Sequence, residues 1–247
     1  MNRQAQGVIL LLLGGAILKA SFTDMFLRYV KEGLRPFLIA AGAMLVLAAV
    51  TTILYDLKYG SALDTECAEE EHGDHGHQHK EPRIGWMLLA PVLGLLLVAP
   101  PALGAFAADK SGTVVLQEQA AFPPLPDGDP VQISVLDYAT RAIFDKGASM
   151  KDAKGTDRKV QISGFLSPGP DGQFVTRMML SCCAADARPL KVAMAGNRPA
   201  GLADDAWVEI TGRYSPKTVK DPVNGQDIPY IEVLDWKAID PPRNQYE

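Results

Sequence analysis

Lys159-Val-Gln-Ile-Ser-Gly-Phe-Leu166 alternates apolar and polar side chains at the two-residue period of a half-buried β-strand. Gly164 sits inside that alternation, where glycine marks a bulge or a sharp bend. Four more stretches follow at short intervals. They are Phe174 to Cys183, Leu190 to Ala195, Trp207-Val-Glu-Ile-Thr-Gly-Arg-Tyr214 and Tyr230-Ile-Glu-Val-Leu-Asp-Trp236. The first and second are joined by Ser167-Pro-Gly-Pro-Asp-Gly172, a turn-rich connection. Gly212 repeats, inside the fourth, the place that Gly164 holds in the first. Five short, bent strands predict a small Greek-key barrel of the OB type. Ahead of them, Ile133 to Lys146 carries Ile133, Leu136, Ala139, Ile143 and Phe144 close to a helical stripe. This helix and the strands make up an expected domain over 131–247. Residues 109–130, rich in Pro, Ala and Gln, read as the tether that leads into it.

The first 108 residues are of another kind. Pro36 to Tyr55 contains no charged side chain, begins with a proline suited to a first helical turn, and is long enough to span a bilayer. An apolar run near 4–26 precedes it, interrupted by Lys19, and an uncharged run over 84–108 follows, broken by Pro91 and Pro100-Pro101. The expected fold class is therefore an α-helical membrane region with three spans, followed by a mostly β, OB-like barrel with a preceding helix. The first run also has the form of a signal peptide with Arg3 as its basic start. The absence of a small-x-small cleavage site and the closeness of the next run favour a retained helix. Three spans put the C-terminal half on the side opposite the N-terminus. Basic residues are balanced between the two sides, so they do not set the orientation. The Ala-Phe-Ala-Ala-Asp109 exit and the short N-terminus place the C-terminal half outside.

Between the second and third runs, the loop 56–83 holds every histidine of the chain: His72, His75, His77 and His79. Neutral imidazole is the commonest protein ligand for zinc, copper and nickel, and the intervening Gly, Asp and Gln leave the backbone free to wrap an ion. The competing reading is a solvated acidic linker, since 56–83 carries eight acidic and three basic residues. Cys67 beside the cluster is a spare ligand or a lipid-modifiable thiol near a membrane end.

The other chemical oddity is Arg177-Met-Met-Leu-Ser-Cys-Cys-Ala-Ala-Asp-Ala-Arg-Pro189. Cys182, Cys183 and Asp186 form a compact donor set for a soft or borderline ion. Adjacent cysteines in a strand point to opposite faces, so a single ion requires a bend there. The bland alternative buries one thiol as a small hydrophobe and uses Asp186 to cap a turn. Arg177 and Arg188 are expected to favour the thiolates, or to pair with surface carboxylates.

Three cysteines, two of them adjacent, are not a disulfide framework. No basic patch with interleaved aromatics is present, so nucleic acid is not an expected partner. Absence of a phosphate-binding lysine motif excludes an ATP-driven motor in this chain.

The segment Ser181-Cys-Cys-Ala-Ala-Asp186, preceded by Gly164-Phe165 and followed by the strand from Trp207, resembles the bacterial YcgQ-like membrane proteins. Arg28-Tyr-Val-Lys-Glu-Gly-Leu-Arg-Pro36 is similar to actinobacterial members of that family. The resemblance covers essentially the whole chain and implies a membrane protein that accompanies a separate multi-span permease subunit. It points to a divalent transition metal such as zinc as what the pair handles, and to no catalytic reaction. The alternative from the residues themselves is a membrane-anchored thiol redox sensor or enzyme using Cys182-Cys183. Against it, the C-terminal half has no histidine to act as a base, and the pair lacks the two-residue spacer of thioredoxin-like sites.

Overall fold

The structure, a computed structural model, describes residues 3–66, 94 and 101–247. They fall into two units, Met1–Phe26 with Glu32–Pro101, and Leu27–Lys31 with Ala102–Glu247.

In the first unit, α1 (Arg3–Phe22) and α2 (Arg35–Glu66) pack as an antiparallel hairpin. The contact runs over glycine. A Cβ at Gly14 would lie 3.0 Å from the Gly42 carbonyl oxygen, and one at Gly7 would lie 2.6 Å from the Ile53 side chain. Small residues on both helices let the backbones approach closely, the packing mode that serves helices in lipid. The outward faces stay apolar, with Leu11, Phe37, Met44 and Leu47 all exposed. Glu32–Lys58 is long and apolar enough to cross a membrane. It is the one such helix among the described residues, where three spans were expected over the chain. The apolar part of α1, Gln6–Phe22, is shorter, at the lower end of what a crossing needs. Of the run over 84–108, most lies outside the described residues. Its end forms the short helix α3 (Ala105–Lys110), which packs with Phe165, Trp207 and Tyr246 in the second unit.

The second unit is a closed five-stranded barrel. Its strands are β2 (Val160–Gly169), β3 (Gly172–Met179), β4 (Arg188–Gly196), β5 (Trp207–Lys220) and β6 (Asp227–Ala238). They follow the order β2-β3-β4-β6-β5, and β5 pairs back onto β2. All neighbours are antiparallel except β4 and β6. A short β1 (Val131–Gln132) adds to β2 in parallel. The interior is filled at every second position: Val160, Ile162 and Leu166 of β2, Leu190, Val192 and Met194 of β4, Val208 and Ile210 of β5, Ile231 and Val233 of β6. Gly164 and Gly212 hold the inward positions left over on β2 and β5. A Cβ at either would lie 2.6 Å from a backbone oxygen, of Thr176 and Glu232 respectively, so only glycine lets these strands curve into closure. The register shift between Thr211 and Gly212 is the irregularity that the glycine predicts.

The amphipathic helix α4 (Val135–Phe144) closes one opening with Val135, Tyr138, Ala139 and Ala142. It begins at Val135, two residues after the expected start at Ile133, where Ser134 caps it by accepting the Asp137 N–H at 2.9 Å. The Glu247 carboxylate accepts the next two free donors, the N–H groups of Val135 and Leu136, at 3.0 and 2.9 Å.

The expected tether is laid against this barrel. Lys191 and Asp221, both buried, pair at 2.9 Å. Lys191 also donates to the Ser111 carbonyl, and Asp221 accepts the Thr113 N–H, each at 2.9 Å. Residues 111–113 are thus tied to β4 and to the turn after β5.

Candidate functional site

The cysteine pair does not belong to a strand. β3 ends at Met179, four residues before the expected end at Cys183. On one side its pairing with β4 runs out at Met179–Arg188, next to Pro189, which has no N–H to offer. On the other, Glu247 donates its N–H to Met178 at 2.9 Å and accepts that of Leu180 at 3.0 Å, which holds the strand end in place. The chain then bends at Ser181-Cys182 and enters a single turn of 3-10 helix, Ala184–Asp186. The required bend is therefore present. Cys182 is exposed, Cys183 is half-buried, and neither thiol is packed away as a hydrophobe.

Asp186 folds back over the bend. Its carboxylate accepts the Ser181 N–H at 3.1 Å and the Cys182 N–H at 2.8 Å. The Cys182 thiol also donates to it. This bond, followed by the Cys183 thiol, raises the Cys182 pKa from 9.0 to about 11, while the same donors hold Asp186 below its ordinary value. The expected activation of Cys182 by arginine is thereby corrected: the nearest charge is a carboxylate, which disfavours the thiolate.

Arg177 is turned elsewhere. It is buried, lies 5.1 Å over the Trp207 ring and faces the Glu247 carboxylate at 3.6 Å. Burial pulls its pKa down, and Glu247 opposes that. Arg188 is exposed, and among the described residues its guanidinium has no ion pair or side-chain hydrogen bond. Met178 is buried with Phe165 and Trp207 as core, not as a thioether ligand.

One sulfur from each cysteine and one Asp186 oxygen lie within 4.8 Å of one another. A tetrahedral zinc bonding sulfur at about 2.3 Å spans donors about 3.8 Å apart, so a shift of about 1 Å brings such a set together. His72, His75, His77, His79 and Cys67 lie outside the described residues.

A contribution that the local pattern does not announce comes from far back in the chain. Tyr29–Lys31 runs antiparallel to Cys182–Ala184, with Val30 bridged to Cys183. Lys31 donates its N–H to the Cys182 carbonyl at 3.1 Å, and Ala184 donates to the Tyr29 carbonyl at 2.7 Å. Tyr246 anchors this patch by donating its hydroxyl to the Arg28 carbonyl at 2.9 Å and accepting the Leu103 N–H at 3.0 Å. The backbone on both sides of Cys183 is thus held while the thiols stay accessible.

Beside the bend is an open groove of about 770 Å³. Residues 114–119 form part of its lining, Leu136 and Thr140 of α4 and Met179 and Leu180 contribute further surface, and Asp186 and Arg188 belong to it as well. A second hollow of about 370 Å³, lined in part by Ser111 and Gly112, shares those two residues.

Residues 149–247 match the family model of the DUF1980 C-terminal domain. The match spans all five barrel strands and takes in Cys182, Cys183 and Asp186, while α4 and the histidine loop lie before it. It names neither a permease nor a YcgQ-like protein. No curated protein and no solved structure matches the chain.

Proposed function

We propose that this protein is a membrane-anchored accessory subunit of a two-component permease, and that its barrel holds a divalent transition-metal ion, zinc first, at Cys182, Cys183 and Asp186. The observation that carries the reading is the gathering of two accessible thiols and a carboxylate within 4.8 Å on a backbone braced from both sides. Three protein donors leave one position for an incoming or departing ligand, which suits transfer better than permanent structural use. The strand order, with one parallel pair closing the barrel, supports the OB-type reading, and such barrels serve binding more than any one chemistry.

The apolar outer faces of α1 and α2, and the uncharged run over 84–108, support a multi-pass anchor in the cell membrane with the barrel outside. The histidine loop serves as a low-specificity collector on the other side. A multi-span partner supplies the path that this chain is too small to form. The role is binding, not catalysis: a thiol held protonated by Asp186 is a poor nucleophile, which weighs against the redox or thiol-enzyme alternative.

The test is zinc retention by the full chain in detergent, beside zinc accumulation in cells lacking and regaining the gene. Cys182→Ser, Cys183→Ser and Asp186→Asn are each expected to abolish binding at the barrel and restoration of the cellular phenotype. Undiminished retention in all three, measured with the four histidines replaced by alanine, would overturn the site.

A further inference from the structure

We propose that the groove beside the cysteine bend binds a small carboxylate-bearing ligand of the metal, so that the ion arrives with an organic ligand and not as the bare hydrated ion. The proposal rests on the metal reading above. Three observations carry it. The groove, at about 770 Å³, falls in the range of small-molecule sites and is far larger than an ion needs. Leu116, Leu136, Met179 and Leu180 offer it apolar surface suited to a flat or aliphatic body. Asp186 is both a wall of the groove and one of the three donors, and Ser181, next to Cys182, lines it as well, so a molecule lying there touches the metal-binding carboxylate.

Arg188 supplies the charge. It lines the groove, is exposed, and has no ion pair among the described residues. An unpaired guanidinium matches a carboxylate in shape and charge. Glu118, also in the lining, repels an anion and so directs the carboxylate toward Arg188. The ligand class is thus a small molecule with an apolar body, one carboxylate and a nitrogen or sulfur donor beside it. Cys182, Cys183 and Asp186 would hold the ion with the thiols' protons released to solvent, the nitrogen or sulfur donor would complete its coordination, and no electron would be transferred.

The experiment uses the full chain in detergent micelles, with His72, His75, His77 and His79 replaced by alanine, and zinc ion and pyridine-2-carboxylate as probes in equilibrium dialysis. The expected result is that the carboxylate is retained only when zinc is present. Arg188→Ala is expected to weaken its retention about tenfold, the worth of one charge-assisted hydrogen bond, while zinc retention is unchanged. Leu136→Trp, which fills the groove from α4, is expected to do the same without touching a donor. Retention of zinc with pyridine-2-carboxylate passing freely would overturn the inference and leave the metal site standing. Retention of the carboxylate without zinc, or undiminished by Arg188→Ala, would also overturn it. Failure of the wild-type barrel to retain zinc would remove the metal reading itself.

Discussion

The Asp186 carboxylate accepts the backbone N–H of Cys182 at 2.8 Å and its thiol as well, so one side chain both shapes the bend and sets the chemistry of the sulfur beside it. This raises the pKa of Cys182 to about 11 and so disfavours its thiolate at neutral pH.

That arrangement predicts a particular pH profile. Alkylation of Cys182, followed by mass spectrometry of its peptide, is expected to reach half its limiting rate near pH 11 and not near pH 9.0. Asp186→Asn is expected to bring the profile down toward the ordinary value. At pH 8 it should speed the reaction by about tenfold, because the gain in thiolate is partly offset by lower nucleophilicity. A profile centred near 9 in the wild type would show that the thiol does not bond to Asp186.

Tyr246 is expected to matter to the cysteine bend although it is no ligand. Tyr246→Phe leaves the Leu103 N–H and the Arg28 carbonyl without their shared partner. A loss of about 1–3 kcal/mol is expected, with faster amide exchange at Lys31 and Ala184, whose hydrogen bonds brace Cys183. Unchanged exchange at those two amides would detach Tyr246 from the site.

The Lys191–Asp221 pair is expected to govern acid stability. Burial raises the Asp221 carboxyl, but hydrogen bonds from Lys191, Val223 and Thr113 and the Lys191 charge outweigh it, and the net shift is downward from 3.8. A carboxyl with a depressed folded value contributes stability that is present above 3.8 and is lost as pH falls through the folded value. Thermal unfolding of the wild type should therefore fall more steeply below about pH 4 than that of Asp221→Asn. Lys191→Met, which strands a buried carboxylate, is expected to cost about 3–5 kcal/mol at neutral pH.

Gly164 and Gly212 are expected to tolerate no side chain. Alanine at either meets backbone oxygen at 2.6 Å, which no rotamer change relieves. A loss of about 1–3 kcal/mol in each is expected by denaturant unfolding of the full chain. An unchanged midpoint for Gly164→Ala would mean that the barrel closes without the close approach of β2 and β3.

Much of this protein is determined by local pattern. The two-residue alternation from Lys159 onward is a property of strands buried on one face. It located all five strands, the helix capped at Ser134, and the two inward glycines, because strand pairing and capping depend on neighbours in sequence or one strand away. The Cys-Cys-x-x-Asp spacing likewise marked three side chains that the fold gathers within 4.8 Å. What local pattern could not determine were the contacts made by distant residues. Strand β3 looks continuous through Cys183, but its pairing with β4 runs out at Met179, four residues earlier, and the bend that follows is what turns the two sulfurs toward one carboxylate. Arg177 stands near the thiols in sequence, yet the Trp207 ring and Glu247 claim it. Tyr29–Lys31 lies some 150 residues from Cys183 along the chain and is its backbone partner in space. Periodicity records which face of an element is buried, whereas a site assembled from a strand end, a loop and a remote segment has no period, and only the folded chain specifies it.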